Sequence, residues 1–474
     1  MDESSESRWA RLDGLVPQLI KATGVPGVVV GVVHGDEILT GGWGVTSIDN
    51  PLLVTDDTLF QIGSITKTFV GTAMMRLVEA GKVELDAPVR TYLPDFRVSD
   101  EAASAGATVR HLLTHTSGWA GDYFHDTGAG DDALARYVAD MAELPQTTPL
   151  GDWWSYNNAG FSLAGRVIEV VCDQSFEEAL SELVLEPLGL AHSFLDPGKV
   201  MTHRFAVGHN IAEDGVAHLA RPWPLVRSAY PAGGLVCHVH DLLRYARSHL
   251  GTGIVEDIAG ADEPAEVADG ARTEEGTRLL TEESLAQMKV PQVTLWGTDA
   301  WGLTWALSEH EGLLEVAHGG GTNGQISQLS LFPDRDFAFV VLTNGGLGGF
   351  VIRDLRRWLL KEYLTVKATQ PEPIESSPEE LAQYAGIYQG YFTDVEMGML
   401  AGKLIGQVTY KRGFPSEKEP PPPAPPPMSI VRCEEDRLLV TDTRFKDATG
   451  DVLRRSDGSI GWLRISGRIH KRQS

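Results

Sequence analysis

Ser64 and Lys67 stand three residues apart at the head of an apolar stretch that runs from Gln61 to Val70. A serine hydroxyl must lose its proton as it attacks, so nucleophilic chemistry requires a base within hydrogen-bond reach. On a helix, positions i and i+3 share a face and meet that distance. Among Ile65, Phe69 and Val70 desolvation disfavours the ammonium form of Lys67, which is the direction a base needs. The first turn also offers unpaired backbone N–H groups to a developing oxyanion. A bare S-x-x-K equally describes an ordinary serine and lysine near a helix start, so the pair needs support from elsewhere in the chain.

Tyr156 and Asn158, two residues apart in a polar turn before a second apolar helix pattern, supply a phenol and an amide. The phenol can relay a proton to a leaving group, and the amide can orient a lysine or bind a substrate amide. A third segment, Ala317-His318-Gly319-Gly320-Gly321-Thr322, follows a strand pattern and precedes two more. Its glycines would let a substrate backbone approach a strand edge. Taken alone H-x-G is weak, because His310-Glu311-Gly312 fits it too.

The elements that must position these groups can be read from periodicity. An amphipathic helix over about 6–22 precedes the buried strand from Gly27 to Val33, a turn at His34-Gly35-Asp36 and a second strand through Trp43. Phe69, Val70, Ala73, Met74, Leu77 and Val78 make too wide an apolar stripe for a surface helix, and Gly81 ends it; this is a buried central helix. The N-terminal hairpin and a meander from about 301 to 343 are expected to share one antiparallel sheet, with a mostly helical lobe between them. Residues 252–278, rich in Gly, Ala, Asp and Glu, read as a solvated insertion. Short strand patterns at 384–391, 404–410, 429–433, 437–441 and 461–465, with turns at Thr449-Gly450-Asp451 and Asp457-Gly458, predict a small antiparallel barrel. The prolines from Pro420 to Pro427 read as a stiff tip on a long barrel loop. The fold class is therefore α+β, with domains at 1–367 and 379–474 joined by a linker over 368–378.

The three motifs in this order resemble the penicillin-binding-protein-like serine hydrolases, which include class C β-lactamases, D-amino-acid peptidases and carboxylesterases. The segments from Val109 to Gly118 and from Ala232 to Val236 look like the same family, and the likeness covers about three quarters of the chain. The segment from Leu381 to Tyr388 looks like the start of the lipocalin-like domain that follows this core in many relatives. The resemblance implies that Ser64 is the acylated nucleophile, Lys67 its base, Tyr156 the proton shuttle and Asn158 the residue ordering the pair. It also implies that His318 lines the strand edge and that the N–H groups of Ser64 and Gly321 form the oxyanion hole. A permanent cation in place of His318 would hold a substrate carboxylate; a largely neutral imidazole lowers the expectation of efficient β-lactamase activity.

Substrate contacts are expected from Trp154, Trp223, Gly320 and Arg468. The last belongs to a basic C-terminal cluster, and the Ser466-Gly467 turn before it could present it inward. His111 and His115 lie four apart, but no glutamate follows the first and Thr116-Ser117-Gly118 breaks any helix, so loop packing is the better reading and no catalytic metal is expected. No nucleotide loop is seen, and no cofactor is expected.

Composition narrows the partners. Forty Lys plus Arg against sixty-five Asp plus Glu give a formal net charge of −25, which repels nucleic acid and anionic membranes. The N-terminus lacks a basic and apolar leader, no apolar run reaches membrane-spanning length, and the three cysteines are widely spaced. These features predict a cytoplasmic protein, and with that compartment the resemblance implies action on a small peptide or acyl substrate, free or carrier-bound, through a serine-linked intermediate. The favoured specific reading is a stand-alone peptidyl thioesterase that cyclises nonribosomal peptides; a D-aminopeptidase or carboxylesterase is the alternative. A binding protein on the same fold is a third reading, against which Ser64, Lys67 and Tyr156 are all intact.

Overall fold

An unbroken apolar run such as Val28 to Val33 suits a strand covered on both faces, and here it forms one. The computed structural model describes residues 5–212, 214–251, 253–255, 272–273, 276–367 and 370–473. By its contacts the chain divides into two compact units, Met1–Ala87 with Ala164–Ala368, and Pro88–Leu163 with Thr369–Ser474.

The first unit is built on an antiparallel sheet of β1 (Gly27–His34), β2 (Glu37–Gly44), β3 (Val293–Trp296), β4 (Asp299–Trp301), β5 (Ala306–His310), β6 (Leu313–Gly321), β7 (Ile326–Phe332) and β8 (Phe337–Thr343). Their order across the sheet is β3-β4-β5-β6-β7-β8-β1-β2. The hairpin and the meander thus share one sheet, as the sequence implies, because β1 pairs with β8 in the register Val28↔Thr343 to His34↔Phe337. Val28, Val30 and Val32 alternate onto one face and pack with Phe337, Phe339 and Val341. Against them lie Leu12 and Val16 of helix α1 (Ser5–Thr23) and Val351, Leu355 and Leu359 of a helix over Gly348–Leu359.

Helix α2 (Thr66–Glu79) is the predicted buried helix: every residue from Thr66 to Met75 is buried. Its threonines need not expose their hydroxyls, since Thr68 donates to Ile65 O and Thr72 to Thr68 O, inside the helix's own turns. Phe69 stacks on Tyr245 with ring centroids 3.7 Å apart. The chain leaves the helix at Gly81, whose φ is +67°.

In the second unit, eight strands from Gly386–Gln389 to Arg468–Arg472 close into a barrel, the first pairing with the last at Tyr388↔Arg472. Tyr388, Val395, Met397, Leu404, Met428, Ile430, Val452 and Leu463 fill its interior. A space of about 20 Å³, one water's worth, lies among Val395, Met397, Met428, Ile430 and Leu463. The strands at Thr393–Leu400 and Arg468–Arg472 were not distinguished in the sequence patterns. Thr449-Gly450-Asp451 is not a turn: it opens the strand Thr449–Arg454, where Gly450 pairs with Leu438 and Ile465. Turn-type composition was overridden there by ladder pairing on both sides. The turns at Asp457-Gly458 and Ser466-Gly467 are present, with Gly458 at φ +82° and Gly467 at φ +75°. The proline run lies in the loop before the strand Met428–Glu434.

Most of the insertion over 252–278 lies outside the described residues; the described parts pair as short strands, Ile254–Val255, Arg272–Thr273 and Gly276–Arg278, with Val255 fully buried. Among the described residues no helix is long and apolar enough to cross a membrane.

Candidate active site

Ser64 sits in the 3₁₀ turn Gly63–Ile65 that leads directly into α2, so its position is fixed by the first turn of a buried helix. Lys67, one turn on, is completely buried, and its Nζ lies 3.1 Å from Ser64 Oγ. The same Nζ donates to Ala232 O. This accounts for the segment from Ala232 to Val236: it holds the lysine and, through Leu235, also holds the turn, since Ile62 N donates to Leu235 O and Leu235 N to Thr66 Oγ1.

On its other side the turn is held by the sheet. Ser327 Oγ donates to Ile62 O at 2.8 Å, and Gln61 N donates to Gln325 Oε1 at 3.1 Å. The glycines follow from this closeness. A Cβ on Gly320 would stand 1.9 Å from Ile62 O, and one on Gly63, already at φ +53°, would stand 2.5 Å from Gly321 N. Gly320 is therefore required for backbone packing of β6 against the Ser64 turn, while Gly319 and Gly321 are the exposed positions of that strand end. The Gly321 peptide lies beside Gly63, the residue before Ser64.

His318 is buried on β6, with Nδ1 2.6 Å from Gly319 O and its ring edge-on to Trp301 at 5.5 Å. Burial and then the charge of Lys67 push its pKa down to about 3, so the imidazole is neutral at physiological pH. It can orient or hydrogen-bond a substrate and does not act as a fixed cation. Trp223 is half-buried with Nε1 on Ala206 O, its ring against Phe205, and its carbonyl accepts from Gln61 Nε2 at 2.6 Å.

The second unit carries Tyr156, Asn158, Trp154 and Arg468. Tyr156 N donates to Gly467 O at 2.8 Å, and the Arg468 guanidinium lies 4.6 Å from the Tyr156 ring centroid. The turn at Ser466-Gly467 thus does present Arg468 to the Tyr156 segment. Both Asn158 and Arg468 converge on Asp122: Asn158 Nδ2 donates to Asp122 Oδ1 at 2.7 Å, and Arg468 Nε donates to Asp122 Oδ2 at 3.0 Å. Asp122 was missed in the sequence because a lone aspartate after Gly121 has no spacing relation to either partner. Trp154 is buried, edge-on to His115 at 6.0 Å and beneath the Arg464 guanidinium at 5.7 Å.

His111 and His115 serve the loop. His111 Nδ1 accepts from Thr108 N, and His115, at φ +57°, accepts from Asn157 N at 2.9 Å and lies 4.3 Å from the Tyr156 ring. His192, His238 and Asp241 have the ligand types to hold a metal, yet they already serve one another's backbone: His238 Nδ1 accepts from Asp241 N, and Asp241 Oδ2 accepts from His192 N and Ser193 Oγ.

The family described as Beta-lactamase matches residues 12–362. Penicillin-binding protein 4 of Amycolatopsis lactamdurans is 35% identical over 375 residues, 77% of this chain and 93% of that protein. Esterase EstB of Burkholderia gladioli is 33% identical over 196 residues, 38% of this chain and 50% of EstB. The crystal structure of SurE with D-Leu has a TM-score of 0.72 at 24% identity and covers 99% of this chain and 100% of that one, a likeness of fold that includes the barrel. This chain belongs to the Beta-lactamase family, the serine hydrolases of penicillin-binding-protein, β-lactamase and esterase type.

Proposed function

We propose that the protein forms a serine-linked acyl intermediate on a peptide ester, thioester or amide and passes the acyl group on. The carrying observation is the 3.1 Å contact of Lys67 Nζ with Ser64 Oγ at the start of a buried helix. Ser64 Oγ attacks the acyl carbonyl and gives its proton to Lys67; the N–H groups of Ser64 and Gly321 take up the oxyanion. Collapse of the tetrahedral species breaks the bond to the leaving group, which receives a proton through Tyr156. Arg468 and Asn158, both held by Asp122, keep the Tyr156 segment in place. An amine or water then attacks the ester carbonyl and gives up a proton, the bond from the acyl carbon to Ser64 Oγ breaks, and that proton restores the Ser64 hydroxyl as amide or acid departs.

The specific reading is a stand-alone peptidyl thioesterase and cyclase that works in the cytoplasm on a carrier-bound donor. Support comes from the whole-length likeness of fold to SurE, crystallised with the D-amino acid D-Leu. An amine held beside the ester outcompetes bulk water through effective molarity. The test is a peptidyl thioester mimic ending in a D-residue with a free N-terminal amine, its products resolved by mass spectrometry. Macrocycle or amine-transfer product is expected. Linear acid across several peptide lengths would return the protein to the D-peptidase or carboxylesterase reading; of these two, the similarity to the esterase EstB supports the carboxylesterase.

A further inference from the structure

We propose that a cavity lined by Tyr123, Phe124, His125, Tyr391, Phe392 and Arg412 is a subsite for one aromatic side chain of the acyl donor. This rests on the acyl-enzyme reading above and adds a substrate class to it.

The cavity is assembled from three short stretches of the second unit: the residues just after Asp122, the turn between the barrel strands Gly386–Gln389 and Thr393–Leu400, and the loop leading to the proline run. Its volume is about 190 Å³. An engineered apolar cavity of about 150 Å³ accepts benzene, so this one has room for a single aromatic ring and little more. Tyr123, Phe124, Tyr391 and Phe392 are all half-buried, and they meet one another edge-on: Tyr123 with Tyr391 at 6.2 Å, Phe124 with Phe392 at 5.7 Å. Such walls take a further ring in the same edge-to-face manner.

Two basic side chains border the cavity, and both are engaged by its own walls. His125 lies between Asp140 Oδ2 at 2.9 Å and Glu417 Oε1 at 2.5 Å, and the Arg412 guanidinium covers the Tyr391 ring at 4.0 Å while its Nε donates to Tyr391 O. The four aromatic walls and the volume of one ring are what select an uncharged aromatic occupant. Its location ties it to the chemistry. Asp122, Tyr391 and Phe392 also line the neighbouring cavity, which Tyr156 and Arg468 line with them. A donor that engages Tyr156 would have a neighbouring side chain at the aromatic cavity.

The probe is a set of oligo-alanyl N-acetylcysteamine thioesters in which a single phenylalanine, D or L, is moved through each position, with a lysine set as comparison. One phenylalanine position is expected to raise kcat/KM over the alanine parent by about 10- to 100-fold. Tyr391→Ala and Phe392→Ala are expected to bring that ratio close to one, and fluorophosphonate labelling of Ser64 reports whether each variant is folded. Independently of any variant, N-acetyl-phenylalaninamide should inhibit the wild-type protein competitively, and more strongly than N-acetyl-alaninamide. A flat scan in a protein that still labels and turns over removes the subsite alone. A phenylalanine gain that survives both substitutions, or a larger gain from lysine, overturns it in favour of another wall or a cationic occupant. Absence of both labelling and turnover removes the acyl-enzyme reading and the subsite with it.

Discussion

Asp122→Asn removes one charge from a junction of three residues and leaves its size unchanged. The carboxylate has both oxygens engaged: Oδ1 with Asn158 at 2.7 Å and with Arg468 Nη2 at 3.3 Å, Oδ2 with Arg468 Nε at 3.0 Å. Asparagine keeps one acceptor and turns an NH₂ toward a remaining donor, so either Asn158 or Arg468 loses its partner. A fully buried pair broken on one side costs about 3–5 kcal/mol, and an exposed pair about 0.2–1. The side chains here are 9% and 37% exposed, which places the cost between those limits, at about 2 kcal/mol. For a unit of this size that is roughly 4–8 °C in Tm. A double-mutant cycle with Arg468→Gln should return a coupling energy above about 0.5 kcal/mol. Because Arg468 lies on the Tyr156 ring, turnover of a peptidyl thioester should fall by about 10- to 100-fold. Unchanged melting, additive single effects and unchanged turnover together would refute the view that Asp122 organises the Tyr156 segment.

Lys67→Arg keeps a cation but cannot accept the Ser64 proton at accessible pH, so acylation measured by ester burst should fall by at least about 10²-fold while circular dichroism is preserved. His318 stays neutral down to about pH 3, so between pH 5 and 8 His318→Gln should change the level of the acylation rate but not the shape of its pH profile. The same group destabilises on acidification: the unfolded chain binds its proton below the ordinary value of 6.5 and the folded chain only near 3, so stability declines as pH falls through that window. Burial would raise the pKa of Glu315, but hydrogen bonds from His310 and Arg356 outweigh it and hold it at about 2 against an ordinary 4.5. Its contribution is complete above pH 4.5 and lost between 4.5 and about 2; Glu315→Gln should cost about 3 kcal/mol in denaturant unfolding near neutral pH.

Ser64 and Lys67 were legible because helical spacing alone brings i and i+3 together, and α2 was legible because its apolar stripe continues all round. The strand ending in His318 to Gly321 was equally plain, but the reason for its glycines was only half visible. Gly320 serves contact with Ile62 O, and that contact joins segments more than 250 residues apart which no local pattern relates. Asp122 was hidden for the same reason, since its partners lie 36 and 346 residues along the chain. Arg468 could be anticipated from the turn before it, a local signal. The strand at Thr449–Arg454 was hidden by its own composition, because Thr-Gly-Asp favours turns unless a ladder on each side supplies the hydrogen bonds.

The most direct measurement of the central claim is the position of a covalent adduct. The full chain is incubated with a fluorophosphonate, digested and mapped by mass spectrometry, with turnover of a chromogenic acyl ester followed in parallel. A single adduct on Ser64, lost together with turnover in Ser64→Ala, is the predicted result. Labelling at another residue, or undiminished turnover in Ser64→Ala, would contradict it.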